Sequence, residues 1–172
     1  MPRPQHVDAP KNSAATPARR VLSFSTLDDL RQEIDRIAAA DRAGALRRTG
    51  NWTVGQTFGH LATWITFALD GYPPNLRAPL LVKLILRTQK KRFLRGPFPS
   101  GVRLPKIEGG TLGIEPLSLD EGLARLHAAI NRLERTAPTV ANPIFGRMTH
   151  DEWIQANLRH AEHHLGYLHP AA

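Results

Sequence analysis

The chain contains no cysteine. That excludes disulfides, zinc–thiolate sites and a thiol nucleophile supplied by the protein. It leaves histidine and carboxylate as the metal ligands to look for. Long apolar runs are missing too. Leu80-Leu81-Val82-Lys83-Leu84-Ile85-Leu86 falls short of the roughly 20 residues that span a bilayer and carries a lysine, so no membrane is expected. Strand-like alternation and internal repeats are absent. Aromatic residues make up only 6% of the sequence. What remains is a chain of 172 residues, 41% apolar, large enough to bury one full core.

Acidic residues are missing from one long stretch. Residues 77–106 hold Arg77, Lys83, Arg87, Lys90, Lys91, Arg92, Arg95, Arg103 and Lys106 with no acid between them, which accounts for the formal net charge of +8. Attraction of an anionic ligand or nucleic acid is one reading. The favoured one is a solvated basic helix face. No nucleic-acid-binding motif and no interleaved aromatic platform accompanies the basic residues, so nucleic acid is not an expected partner.

Four segments open with a Ser or Thr cap and, three residues later, a side chain able to close a capping box. They are Thr26 with Asp29, Thr53 with Gln56, Ser118 with Glu121, and Thr149 with Glu152. Each cap is followed by apolar residues at helical spacing. The stripes are Leu27, Leu30, Ile34 and Ile37; Val54, Phe58, Leu61, Ile65 and Leu69; Leu119, Leu123, Leu126, Ile130 and Leu133; and Trp153, Ile154, Leu158, Ala161, Leu165 and Leu168. The first helix should end near Gly44, the second at Gly71, the third near Pro138 and the fourth at Pro170. The pattern predicts an all-α antiparallel four-helix bundle. Residues 80–94 leave room for one extra helix, and the rest of 72–117, rich in proline and glycine, reads as a long crossover between helices 2 and 3. Trp52, Trp64 and Trp153 are expected in the core or in pocket walls. Residues 1–20 read as a flexible or surface-strapped tail, and residues 21–170 as a single domain. Arg19-Arg20 faintly resembles a twin-arginine signal, but no apolar h-region follows, so a cytoplasmic protein is expected.

The chemistry points to histidine. His160 and His164 are spaced i, i+4, which stacks two imidazoles on one helix face with Trp153 and Asn157. Neutral imidazole is the commonest protein ligand for several divalent metals. His60 lies among Phe58, Leu61, Trp64 and Ile65, and a buried histidine needs a hydrogen-bond partner or a metal. It is the candidate third ligand, with His127 as the rival. His163 is turned about 100° from His164 and should not join the same centre. His6, His150 and His169 look peripheral.

Two runs carry a family resemblance. Asn51-Trp52-Thr53-Val54-Gly55-Gln56-Thr57-Phe58-Gly59-His60-Leu61-Ala62 is similar to the start of the second helix in the DinB-like superfamily. Phe145-Gly146-Arg147-Met148-Thr149-His150-Asp151-Glu152-Trp153, followed by His160-Ala161-Glu162-His163-His164-Leu165, resembles that superfamily's last helix. More narrowly, about residues 19–169 resemble an uncharacterised domain-of-unknown-function branch. The resemblance implies a four-helix bundle with a three-histidine metal centre, one ligand from the second helix and two from the fourth. By position these are His60, His160 and His164. Characterised relatives include transferases and isomerases that use mycothiol, bacillithiol or glutathione.

Three imidazoles leave a divalent ion with an open position, where a bound water or thiol loses its proton near neutral pH. Zinc or nickel suits nitrogen ligands best, with iron and manganese as alternatives. The expectation is a divalent-metal-dependent, thiol-dependent transferase or hydrolase acting on a small molecule. The thiol would be a cosubstrate, held by arginine or lysine from residues 77–106. The alternative is a non-catalytic metal-stabilised or ligand-binding bundle, and a DNA-associated protein is a weaker third. A homodimer through a helix face is compatible with a bundle of this size.

Overall fold

A computed structural model of the chain describes residues 19–74, 76, 84, 86–98 and 110–171. Its elements in chain order are α1 (Leu27–Arg42), β1 (Leu46–Arg48), α2 (Val54–Asp70), α3 (Lys90–Arg95), α4 (Leu119–Arg135), α5 (His150–Leu165) and β2 (Leu168–Pro170). The protein is mostly helical with one small two-stranded sheet. No helix among the described residues is long and apolar enough to cross a membrane.

The four long helices start at the four sequence signals. Thr26, Thr53, Ser118 and Thr149 are the N-caps, and each closes a reciprocal capping box. Asp29, shorter than the usual Glu or Gln, still reaches back: its Oδ2 accepts from the Thr26 amide at 2.9 Å and the Ser25 amide at 2.8 Å. Each box satisfies donors that the first helical turn leaves open. The apolar stripes meet in one core. Leu30, Ile34, Phe58, Leu61, Leu126, Ile130, Trp153, Leu158 and Leu165 are all buried in it. Burying each large apolar side chain is worth about 1.5–3 kcal/mol.

The tightest helix contact is between the N-terminal turns of α2 and α4. A Cβ at Gly55 would lie 2.2 Å from the Leu117 carbonyl oxygen and 2.5 Å from that of Ser118. A Cβ at Gly122 would lie 2.6 Å from the Gly55 carbonyl oxygen. Only glycine lets these backbones touch, and the contact fixes α2 one turn before His60.

The structure departs from three expectations. The fourth helix ends at Leu165 rather than at Pro170: the Gly166 amide caps it on the Glu162 carbonyl, and the chain then turns. Leu168–Pro170 instead pairs antiparallel with Leu46–Arg48, in the register Leu46↔Pro170, Arg47↔His169 and Arg48↔Leu168. Strands of three residues cannot display a period of two, so the ribbon carried no legible signal. The extra helix over residues 80–94 is interrupted: residues 84 and 86–88 are helical, Gln89 turns, and α3 follows. Residues 80–83 and 85 of that segment lie outside the described residues, as do His6, Arg77, Arg103 and Lys106. Within the expected tail, Arg19 and Arg20 are described and lie against the end of α5. The Arg20 amide donates to the Gly166 carbonyl at 2.8 Å, and its guanidinium pairs with Glu33 at 2.6 Å.

Candidate metal centre

His60 sits two turns into α2, and His160 and His164 occupy successive turns of α5. The packing of these helices brings the three rings together. One ligand atom from each lies within 4.8 Å of the other two. Ring centroids are 5.1 Å apart for His60 and His160, 4.5 Å for His60 and His164, and 4.7 Å for His160 and His164. The Nε2 atoms of His60 and His160 approach to 3.2 Å. Two nitrogens on one tetrahedral ion, each bonded at about 2.0–2.1 Å, lie about 3.3–3.4 Å apart. The donor set therefore suits a divalent ion of the zinc class in chemistry, and the His60–His160 pair already has the spacing such an ion needs, with the His164 ligand atom within 4.8 Å of both.

The protonation pattern is fixed from behind. His60 is 1% exposed, and its Nδ1 lies 2.7 Å from the Leu112 carbonyl oxygen. A carbonyl only accepts, so Nδ1 carries the proton and Nε2 faces the cluster as a lone pair. A backbone carbonyl behind a ligating imidazole is the usual means of holding ring and tautomer. The carbonyl is held in place by its own segment. Gln56 Nε2 donates to the Ile114 carbonyl at 3.1 Å. Gly113, at φ +73°, packs so closely on Thr63 that a Cβ there would lie 2.7 Å from the Thr63 Cβ.

Burial keeps all three rings neutral. It drives His60 down to about 4 from 6.5, against an opposing pull from the Leu112 carbonyl. It holds His160 and His164 well below their ordinary value, and the neighbouring imidazoles add to the effect. Neutral imidazole is the form that ligates metal.

Aromatic rings wall the cluster. Trp52 stacks on His164 at 5.1 Å with an interplanar angle of 11° and also contacts His60 at 4.9 Å. Trp64 meets His60 and His160 edge-on, and Phe98 lies 5.3 Å from His160. The β1–β2 ribbon pins the segment carrying Trp52, and the Thr49 amide donates to the Tyr167 carbonyl at 3.0 Å. Beside His164 a cavity of about 220 Å³ is lined by Gly50, Asn51, Trp52, Thr57, His163, His164, Tyr167 and Leu168.

A family profile described as "Protein of unknown function (DUF1569)" matches residues 16–171, a span that includes both helices of the cluster. The chain belongs to the DUF1569 family. Neither the curated proteins nor the solved structures gave a match. In this DUF1569 chain His127, His150 and His169 lie apart from the cluster, while His163 packs edge-on against His164 at 4.8 Å. His127 Nε2 bonds Asp35 at 2.9 Å on the exposed side, which removes the rival third ligand. His150 bonds the Leu133 carbonyl, and His169 bonds Arg47. His163 is not among the three clustered donors, and its Nδ1 accepts from Arg19. Trp153 is buried in the core, and Trp52 and Trp64 are half-buried at the site.

Sequence reasoning missed three supporting groups. The Leu112 carbonyl leaves no mark in residue identity, although Gly110 and Gly113, both at positive φ, flag the turn that presents it. Glu162 is a buried carboxylate that accepts from the Phe24 amide at 2.6 Å and pairs with Arg159 at 2.9 Å, holding the N-terminal strap on α5. Arg19 belongs to a stretch whose composition reads as tail, and the Arg19-Arg20 pair points in the sequence to no role at this site.

Proposed function

We propose that this is a DinB-like four-helix bundle protein in which His60, His160 and His164 hold one divalent ion. Zinc or nickel comes ahead of iron and manganese, because all three donors are imidazole nitrogens. We further propose a cytoplasmic, metal-dependent transferase or hydrolase acting on a small molecule, with a thiol cosubstrate. The observation that carries the reading is the convergence of three neutral imidazoles, one buried and two half-buried, from two helices beside a cavity. When bound, the ion supplies Lewis acidity at a position left open by only three protein ligands.

The chain's own residues do the rest. Leu112 orients His60 so that its lone pair faces inward. Trp52 covers the outer face of His164 and limits water. The cavity lies on the His164 side of the cluster, with Trp52 and Tyr167 in its walls. With no cysteine in the sequence, any thiol must arrive with a substrate.

The test is elemental analysis of protein purified without a metal-affinity tag. Wild type and His163→Ala should carry a stoichiometric divalent metal, and His160→Ala should not. Wild type that arrives metal-free and takes up neither zinc nor nickel sinks the proposal. Cobalt substitution then separates catalytic from structural roles. An added thiol should change the cobalt spectrum if a position is open, and an unchanged spectrum means a closed, non-catalytic site.

A further inference from the structure

Among the described residues, Arg19, Arg20, Arg31 and Arg159 are the half-buried arginines. Three of them have carboxylate partners: Glu33 for Arg20, Asp28 and Glu134 for Arg31, and Glu162 for Arg159. Arg19 has none among the described residues. Its Nη1 donates to the Nδ1 of His163, an imidazole that must be unprotonated at that atom to accept. A guanidinium has five donors in a planar fork matched to a carboxylate. Arg19 commits one of them to a neutral ring.

Its position is built rather than incidental. The side chain crosses Gly166, where a Cβ would lie 2.5 Å from Arg19 Cγ. The strap that carries it is tied down by Arg20 to Gly166 and by Phe24 to Glu162. Its partner His163 lines the cavity next to His164, and no acidic residue is among the described residues that line it. A charged, under-partnered guanidinium beside a small cavity free of acid selects for an anion. At about 220 Å³ the space is below the roughly 300–1,000 Å³ of pockets for drug-sized ligands, so the occupant is small.

We propose that Arg19 is the anion anchor of this cavity, and that the molecule taken up beside the histidine cluster carries a carboxylate, held by Arg19 at the His163 side. The inference shares its cavity with the proposed metal site but does not need the ion. Trp52 and Tyr167 give the cavity flat walls, so benzoate is a suitable probe, with benzamide as the neutral match and benzylamine as the cationic one.

Binding is followed by tryptophan fluorescence and by ligand-observed NMR, on metal-free and on zinc-loaded protein. Benzoate should bind at least about tenfold tighter than benzamide, the scale of one charge-assisted hydrogen bond, and benzylamine weakest. Arg19→Gln should erase the preference, and Arg19→Lys should keep part of it while showing that the fold survives. Gly166→Ala, whose Cβ would press on both the Arg19 stem at 2.5 Å and the Arg20 carbonyl at 2.8 Å and so displace the strap without removing the charge, should act like Arg19→Gln. The proposal is overturned if benzoate fails to bind, if benzamide binds as well, or if Arg19→Gln leaves the preference intact. Benzoate binding that needs zinc and ignores Arg19 overturns the anchor and spares the metal centre. Arg19-dependent binding in a protein that takes up no metal does the reverse.

Discussion

Replacing Gly113 by alanine tests whether the segment behind His60 governs the metal centre. The new Cβ would lie 2.7 Å from Thr63 Cβ and 2.8 Å from Thr63 Oγ1. Comfortable carbon contacts are about 3.5–4.0 Å, so the segment must retreat by about 1 Å. The His60 Nδ1 to Leu112 oxygen distance, now 2.7 Å, would then pass beyond hydrogen-bond range. Loss of such a partner typically costs a metal site about 10–100-fold in affinity. Stability should fall as well, by about 1–2 kcal/mol for alanine in the left-handed region and about 1–3 kcal/mol for the overlap. Gly44 supplies the control. It has φ +66° and nothing within 4 Å of where a Cβ would sit, so Gly44→Ala carries the backbone strain without the clash. Zinc affinity is measured by competition with a chromophoric chelator, and the His60 ring nitrogens are followed by ¹⁵N NMR in metal-free protein. Gly44→Ala should melt a few degrees lower and bind zinc normally. Gly113→Ala should melt lower still, bind zinc at least tenfold more weakly, and lose the pure Nδ1–H tautomer. If Gly113→Ala binds zinc as tightly as Gly44→Ala, the Leu112 carbonyl does not orient His60 and the reasoning is refuted.

Two further outcomes follow from the packing and the charge states. Gly55→Ala drives a methyl to 2.2 Å from a backbone carbonyl that cannot swing aside, so it should cost about 3 kcal/mol or more, seen as a melting temperature lower by at least about 6 °C; a wild-type melt would show that α2 and α4 do not meet as described. The second concerns acid. His60 has a folded pKa of about 4 against 6.5 in the unfolded chain, and His160 and His164 are shifted in the same direction. Between those values the unfolded chain binds protons that the folded chain does not, so stability is full above about pH 6.5 and is lost as the pH falls toward 4. Melts in the presence of chelator should decline between about pH 7 and 5, above the range where surface carboxylates titrate, and a flat profile there would show that the rings are not held neutral.

What could be read from the sequence was local. A Ser or Thr cap and its partner three residues on lie within one helical turn, and so the starts at Leu27, Val54, Leu119 and His150 were legible. The convergence of His60 with His160 and His164 was legible for a related reason. The i, i+4 pair defines a face by itself, and a histidine amid Phe58, Leu61 and Ile65 has to find a partner inside the core. Features that depend on backbone were not legible. Tyr167, Leu168 and His169 continue the apolar rhythm of α5, and nothing in their identity shows that the Thr49 amide and the β1 strand claim them. Leu112 acts through a carbonyl that every residue possesses. Arg19 stands in a proline-rich run whose composition speaks of a loose tail, and only the groove over Gly166 shows where its side chain goes.

The cluster also constrains how fold and metal depend on each other. With its Nδ1 proton committed to Leu112, His60 presents a lone pair to an Nε2 of His160 only 3.2 Å away. Without an ion, His160 must donate its proton across that gap. That converts one ligand nitrogen into a donor, and the remaining lone pair of His160 turns away from the centre. With an ion, the two Nε2 atoms and a ring nitrogen of His164 would be the donors available to hold it. The two states differ only in which nitrogen of His160 carries its proton, while the Gly55–Gly122 contact holds α2 against α4 in both. Metal uptake near neutral pH would therefore require no charged histidine to be discharged. The step left is a tautomer change on His160, and this is why the supporting carbonyl belongs behind His60, the ring that must never change its tautomer.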